Sequence, residues 1–189
     1  MNRWPTLLAT LLLLTAAQAD AASTMPGTGD VAGDVPAGLK EEDWRSIRAA
    51  HEKWRHSFMP VEGGWQAQNP GQQWTTRFDE RGFLTTPKDG GWTWGLELRS
   101  YGTGLRQADL WREAVERTVT GQRLNYRWDG VVEEWWINDR RGLEHGFTIA
   151  SRPPGEGENL WLVMATRGGL VPKLTPDAQG VQFENADGS

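Results

Sequence analysis

The chain reads as a mainly β protein, an antiparallel, sandwich-like arrangement of sheets built from hairpins, with one amphipathic helix at its N-terminal end. Three observations predict this. From Gln73 onward apolar and polar residues alternate with a period of two, the signature of strands with one buried face. Turn signals punctuate the alternation at short intervals, among them Asp79-Glu80-Arg81, Pro87-Lys88-Asp89-Gly90-Gly91, Asp129-Gly130 and Asn138-Asp139-Arg140-Arg141-Gly142. Only one early segment, at residues 40 to 58, spaces its apolar groups at three and four.

Taken in order, residues 1 to 19 carry Arg3, an apolar run from Leu7 to Ala17 and the small-residue site Ala17-Gln18-Ala19, the three parts of a signal peptide. The run is about eleven residues, well short of the roughly twenty that span a bilayer, so membrane involvement is expected only through export. Cleavage after Ala19 or Ala21 would start the exported chain at Asp20 or Ala22. Residues 20 to 38 are small and rich in Gly and Pro, and they hold too little apolar surface to offset their ordering entropy, which predicts a disordered leader. The remaining residues, 39 to 189, form one β-rich domain with its helix.

In that helix Trp44, Ile47, His51, Trp54 and Phe58 form the expected core stripe, with His56 left in solvent; Glu41, Glu42 and Asp43 occupy the first turn and Pro60 stands past the end. Strands are predicted at 73–78, 82–86 and 92–99, the last with Trp92, Trp94, Leu96 and Leu98 on its core face. Residues 105 to 119 suit a short helix or loop followed by a strand. Three hairpin-connected strands follow at 123–128, 131–138 and 143–150. The segment 160–166 is apolar on both faces and predicts a central strand; 170–175 and 181–184 complete the set. The ending Asn185-Ala186-Asp187-Gly188-Ser189 resembles a turn opening toward another strand, which suggests truncation and an unpaired edge through which copies could self-associate.

Composition excludes several functions. The formal charge is −5 and the basic residues are interleaved with acids, so no nucleic acid is expected as partner. The chain has no cysteine, so even an oxidising compartment supplies no disulfide and stability rests on packing. His51 and His56 invite comparison with a zinc-protease helix, but at five residues apart they stand about 140° round the helix instead of on one face. His145 is the only other histidine, so no metal and no cofactor is expected. Glu133 and Glu134 are adjacent on a strand and point to opposite faces, so they cannot form the carboxylate pair of a glycosidase with each other, and together with Glu97 they are expected to be solvated strand carboxylates. Ser57, Ser100 and Ser151 lack a nucleophile-elbow context.

The segments 65–78 and 91–98, together with the run Glu134-Trp135-Trp136-Ile137-Asn138-Asp139-Arg140-Arg141-Gly142-Leu143-Glu144-His145-Gly146-Phe147-Thr148, resemble the N-terminal β-rich segment of large exported bacterial FG-GAP, integrin-α-like, repeat proteins. The resemblance covers about residues 40 to 189. It implies a domain that precedes calcium-binding propeller repeats and that carries no catalytic residue of its own. The repeats are not in this sequence, so no calcium ligand is transferred to any residue.

Twelve tryptophans are many for 189 residues. Core filling accounts for most of them, and the adjacent Trp135 and Trp136 are the candidates for an exposed ligand-binding platform, since one must face away from the other. The function these readings predict is a non-enzymatic, secreted or cell-surface module for adhesion or interaction with a protein or glycan. The alternative is a Trp-rich carbohydrate-binding module, and a hydrolase comes third.

Overall fold

The computed structural model describes residues 8–11, 35–104, 106–110, 114–153 and 155–188, the strands at 8–11 and 106–109 by their backbone alone. The predicted cleavage sites and the leader up to residue 34 lie outside the described residues. One helix, α1 (Glu41–Arg55), is followed by antiparallel strands in three sheets.

The first sheet is a meander of β8 (Glu116–Thr120), β9 (Arg123–Arg127), β10 (Val132–Asp139) and β11 (Gly142–Ile149), with β1 (Leu8–Leu11) beyond β11. Asp129 shapes the β9–β10 turn by accepting the backbone N–H groups of Val131 and Val132 on Oδ1, at 2.7 and 2.9 Å. The second sheet runs β12 (Leu160–Gly168), β6 (Trp94–Thr103), β5 (Phe83–Pro87), β4 (Trp74–Phe78), β3 (Gly64–Asn69) and β2 (Met59–Val61), with β7 (Arg106–Asp109) also paired to β6. The third is the hairpin β13 (Val171–Leu174) and β14 (Val181–Glu184).

The two large sheets meet through aromatic residues of their inner faces. The Trp136 ring of β10 lies edge-on to Phe78 of β4 at 5.2 Å, to Phe83 of β5 at 6.2 Å and to Tyr126 of β9 at 4.9 Å. Leu96, Leu98, Leu124, Val132, Phe147 and Ile149 complete the core. The mainly β, hairpin-built architecture predicted from the alternation is therefore the one observed, and Trp94, Leu96 and Leu98 occupy the core face assigned to them.

Four local expectations are corrected. Trp54, placed on the helix core stripe, is 61% exposed, and Ile47 is exposed with it, whereas His56, placed in solvent, is buried. No residue of the helix itself is buried, and the residues just past it, His56 and Phe58, join it to the sheets, a choice that periodicity alone cannot make. The segment 160–166 forms an edge strand rather than a central one, because among the described residues β12 pairs with β6 alone, and Trp161 and Val163 project into solvent. Residues 106–109 form a strand against β6 where a helix or loop was expected. β6 is also bulged against β12: Ser100 lies opposite Val163 and Leu98 opposite Met164, which leaves Arg99 as the extra residue.

Candidate functional site: a groove between the helix and two hairpin turns

Trp135 and Trp136 do point to opposite faces of β10, yet both are enclosed, at 3% and 0% exposure. Trp136 belongs to the core. Trp135 lies on the outer face, where Gly146 of the paired strand lets the indole lie flat: a Cβ there would fall 2.3 Å from Trp135 Cζ2. The Arg123 guanidinium covers the ring from the other side at 4.6 Å. Neither ring offers a face to a sugar, which corrects the expected platform. Among the described residues the most exposed indoles are those of Trp54 and of Trp161, the latter 50% exposed.

Catalytic candidates are equally enclosed or committed. Glu134 is fully buried, with its Oε1 2.7 Å from His145 Nε2 and its Oε2 accepting the Trp128 indole N–H at 2.9 Å. His145 stacks on Trp136 at 5.1 Å and 11°, and its Nδ1 has no partner. Such a pair has the chemistry of a general base but no path to a substrate. Glu133 lies on the opposite face beside Arg123, 3.7 Å away. Buried Glu97 sits among Arg99 at 2.5 Å, Arg81 at 3.7 Å and Arg167 at 3.8 Å. Ser57 spends its hydroxyl on the Lys53 carbonyl at 2.9 Å, Ser100 is buried in β6, and Ser151 follows β11 in a loop. Among the described residues no three His, Asp or Glu side chains gather where they could hold a metal ion. No helix among them is long and apolar enough to cross a membrane.

The open site lies elsewhere, in a groove of about 1010 Å³ with α1 as one wall and the β8–β9 and β10–β11 turns as the other. A buried amide network ties together the segments that line it, at His56, Gln122 and Asp139. Asn138 Nδ2 donates to the carbonyls of His56 at 3.0 Å and Gln68 at 2.9 Å, and its Oδ1 accepts from Asn69 Nδ2 at 2.9 Å. Asn69 Nδ2 also donates to the Asp139 carbonyl at 2.8 Å, and its Oδ1 accepts the Gln72 N–H at 3.1 Å. Every donor and acceptor of both amides is thus satisfied, the condition under which a buried polar network rigidifies its surroundings. Gln122 adds a hydrogen bond from Nε2 to the Asn138 carbonyl, and the Phe58 N–H donates to Gly121 O. The helix, which has no buried residue of its own, is held at its end by His56, Phe58 and this network.

The Asn-Asp-Arg-Arg-Gly turn forms the second wall. Asp139 Oδ1 accepts the Arg141 N–H at 2.8 Å, and the Arg141 guanidinium folds back onto Asp139 Oδ2 at 2.8 Å. Gly142 follows at φ +132°, a conformation that suits glycine. Partial burial pushes the Asp139 carboxyl up, but the hydrogen bonds from the Arg141 side chain and backbone and the charges of Arg141 and His56 outweigh it, so it stays below the usual carboxylate range. It is ionised at neutral pH and no proton donor. Arg45, Arg48 and Lys53 line the helix wall, and Arg140 joins Arg141 opposite them. The sequence places a hairpin turn here without reaching the groove; the adjacent charges Asp139, Arg140 and Arg141 are the signal, but nothing local says that a helix comes to lie across them.

No protein family, curated protein or solved structure matches this chain.

Proposed function

We propose that this chain is a non-enzymatic, exported binding module, the N-terminal domain of an FG-GAP-type repeat protein that engages a protein or glycan at the cell surface. The observation that carries this reading is the contrast between the two polar sites. The groove is open, rigidly held and lined by charges that a ligand can reach, while the carboxylates suited to catalysis are enclosed at Glu134 or surrounded by arginines at Glu97. The acids of the groove are each held by a cation of their own segment, Glu41 by Arg45, Glu52 by Arg55 and Asp139 by Arg141. A glycosidase instead needs one carboxyl that keeps its proton. The test is a screen of the secreted protein against surface glycans and envelope proteins, run beside hydrolase assays. Saturable binding without turnover supports the reading. Turnover of a glycan or ester that is lost on Glu52→Gln or Asp139→Asn overturns it.

A carbohydrate-binding module remains the second reading, now favoured by the exposed rings of Trp54 and Trp161 instead of Trp135 and Trp136. Loss of polysaccharide retention on Trp54→Ala or Trp161→Ala, with an unchanged unfolding midpoint, would select it.

A further inference from the structure

The groove is lined by Arg45, Arg48, Lys53, Arg140 and Arg141 against Glu41, Glu52 and Asp139, a positive balance in a chain whose formal charge is −5. We infer that it is a binding site for an acidic polysaccharide, one whose sugars carry carboxylates, and this rests on the binding-module reading above. Four observations point to that class of ligand.

Among the described residues neither Lys53 nor Arg140 has an acidic partner, and both are exposed on opposite walls. Two cations without counter-ions facing one space raise the local concentration of anions there. The neighbouring pair yields easily: Arg45 and Glu41, 2.9 Å apart, are both largely in solvent, where water screens their attraction. Arg45 can therefore turn its fork toward a ligand carboxylate, the planar group that guanidinium grips with two parallel hydrogen bonds. The volume, about 1010 Å³, stands at the upper end of the range for small-molecule sites and suits several linked sugars better than a lone ion. Half-buried Trp44 contributes an aromatic surface to the same wall. The three carboxylates set between the cations can accept hydrogen bonds from ring hydroxyls, which each unit of an acidic polysaccharide offers beside its carboxylate and which the sugar-phosphate backbone of DNA lacks, so nucleic acid fits less well.

The test uses the full chain and measures retention and titration with polygalacturonate, with neutral dextran and with single-stranded DNA at low and physiological salt. Expected are binding to polygalacturonate that weakens with salt, none to dextran, and a loss of about tenfold or more on joint Lys53→Ala and Arg140→Ala, two exposed changes that leave the unfolding midpoint in place. Trp161→Ala, on the far edge strand, should bind as the parent does. Polygalacturonate binding untouched by the double variant, no polygalacturonate binding at all, or equal binding of DNA would each overturn the inference. Retention of dextran or of an envelope protein by parent and double variant alike would overturn the groove ligand and leave the binding-module reading standing. Turnover of the polysaccharide would instead remove that reading.

Discussion

Trp54 projects from the outer side of α1, beside His51 at 6.0 Å, while Trp136 is enclosed by Phe78, Phe83, Tyr126 and His145. Burial, not residue type, sets the cost of truncation. Trp136→Ala should cost about 3–5 kcal/mol, the range for aromatic truncation in a packed core. Trp54→Ala should stay within about 0.5 kcal/mol, as surface changes do. Urea midpoints of the two variants check this, and equal midpoints would contradict the packing. Glu134 makes a related case. Replacing it with Leu strands the Trp128 indole N–H and the His145 ring nitrogen in an apolar core, at about 1–3 kcal/mol for each group left unpaired. Glu134→Gln should cost less, since the amide keeps one acceptor for one of the two. Gly146→Ala has a spectroscopic readout: its methyl displaces the Trp135 indole from beneath Arg123, so tryptophan emission should shift to the red with little change in the core.

At the scale of elements, the attachment of α1 depends on a side chain about eighty residues downstream. Asn138→Leu removes both donated hydrogen bonds, to His56 O and Gln68 O, and the acceptor of Asn69 Nδ2. Leaving these groups buried should cost about 3 kcal/mol or more. The expected signature is local: faster amide exchange at Phe58 and through α1, with the β4 to β6 amides still protected. Uniform acceleration across the chain would show that the network stabilises the whole domain and not the helix junction. A second long-range tie joins β6 to the β9–β10 turn, where the Tyr101 hydroxyl donates to Asp129 Oδ2 at 2.5 Å. Burial and then the hydrogen bond and charge of Asp129 push the Tyr101 phenol up. Burial also pushes Asp129 up, but the Tyr101 hydrogen bond and the Val131 and Val132 N–H groups prevail and hold it below its ordinary value. A depressed carboxyl contributes stability that is present above its unfolded value of about 3.9 and is lost as the pH falls through the folded value; a raised phenol contributes below about 10 and loses it as the pH rises. Tyr101→Phe should therefore cost about 1 kcal/mol near pH 7, discounted because Asp129 is partly in solvent, and the parent and variant curves should converge below about pH 4. A gap that persists once an NMR titration shows Asp129 protonated in the folded chain would mean that the hydroxyl acts through packing alone.

For the whole molecule, the edge of β11 is the surface most sensitive to processing. Leu8–Leu11 lies along it, Leu8 opposite Thr148 and Leu11 opposite His145, within the segment that the sequence assigns to a signal peptide. Mass analysis of secreted material should find a chain that starts at Asp20 or Ala22, and the β11 amides on that edge should exchange faster than in the unprocessed chain. Retention of Met1 would sink the signal-peptide expectation. An edge opened in this way offers unpaired N–H and C=O groups to another strand, as does the outer side of β14, whose one partner among the described residues is β13.

Most strands of the two large sheets, all but β1, β2, β3 and β7, together with the hairpin turns at Asp129-Gly130 and Asp139 to Gly142 and the core face of β6, were legible because each rests on a period of two and on turn chemistry within a few residues of itself. The sequence also determined that Trp135 and Trp136 must part, since adjacent strand residues always do. It did not determine that both would be enclosed, because the cover over Trp135 comes from Arg123 on the neighbouring strand and from the missing side chain at Gly146. The attachment of α1 was not legible either. A stripe with Trp44, Ile47 and Trp54 and an end carrying His56 are both credible contacts, and the choice went to the end because Asn138 and Gly121 accept or offer backbone hydrogen bonds there. The groove depends on that choice. Its cations come from segments some ninety residues apart, and no period or turn rule acts over that distance; only the packing of the helix end against the two hairpin turns brings them to one space.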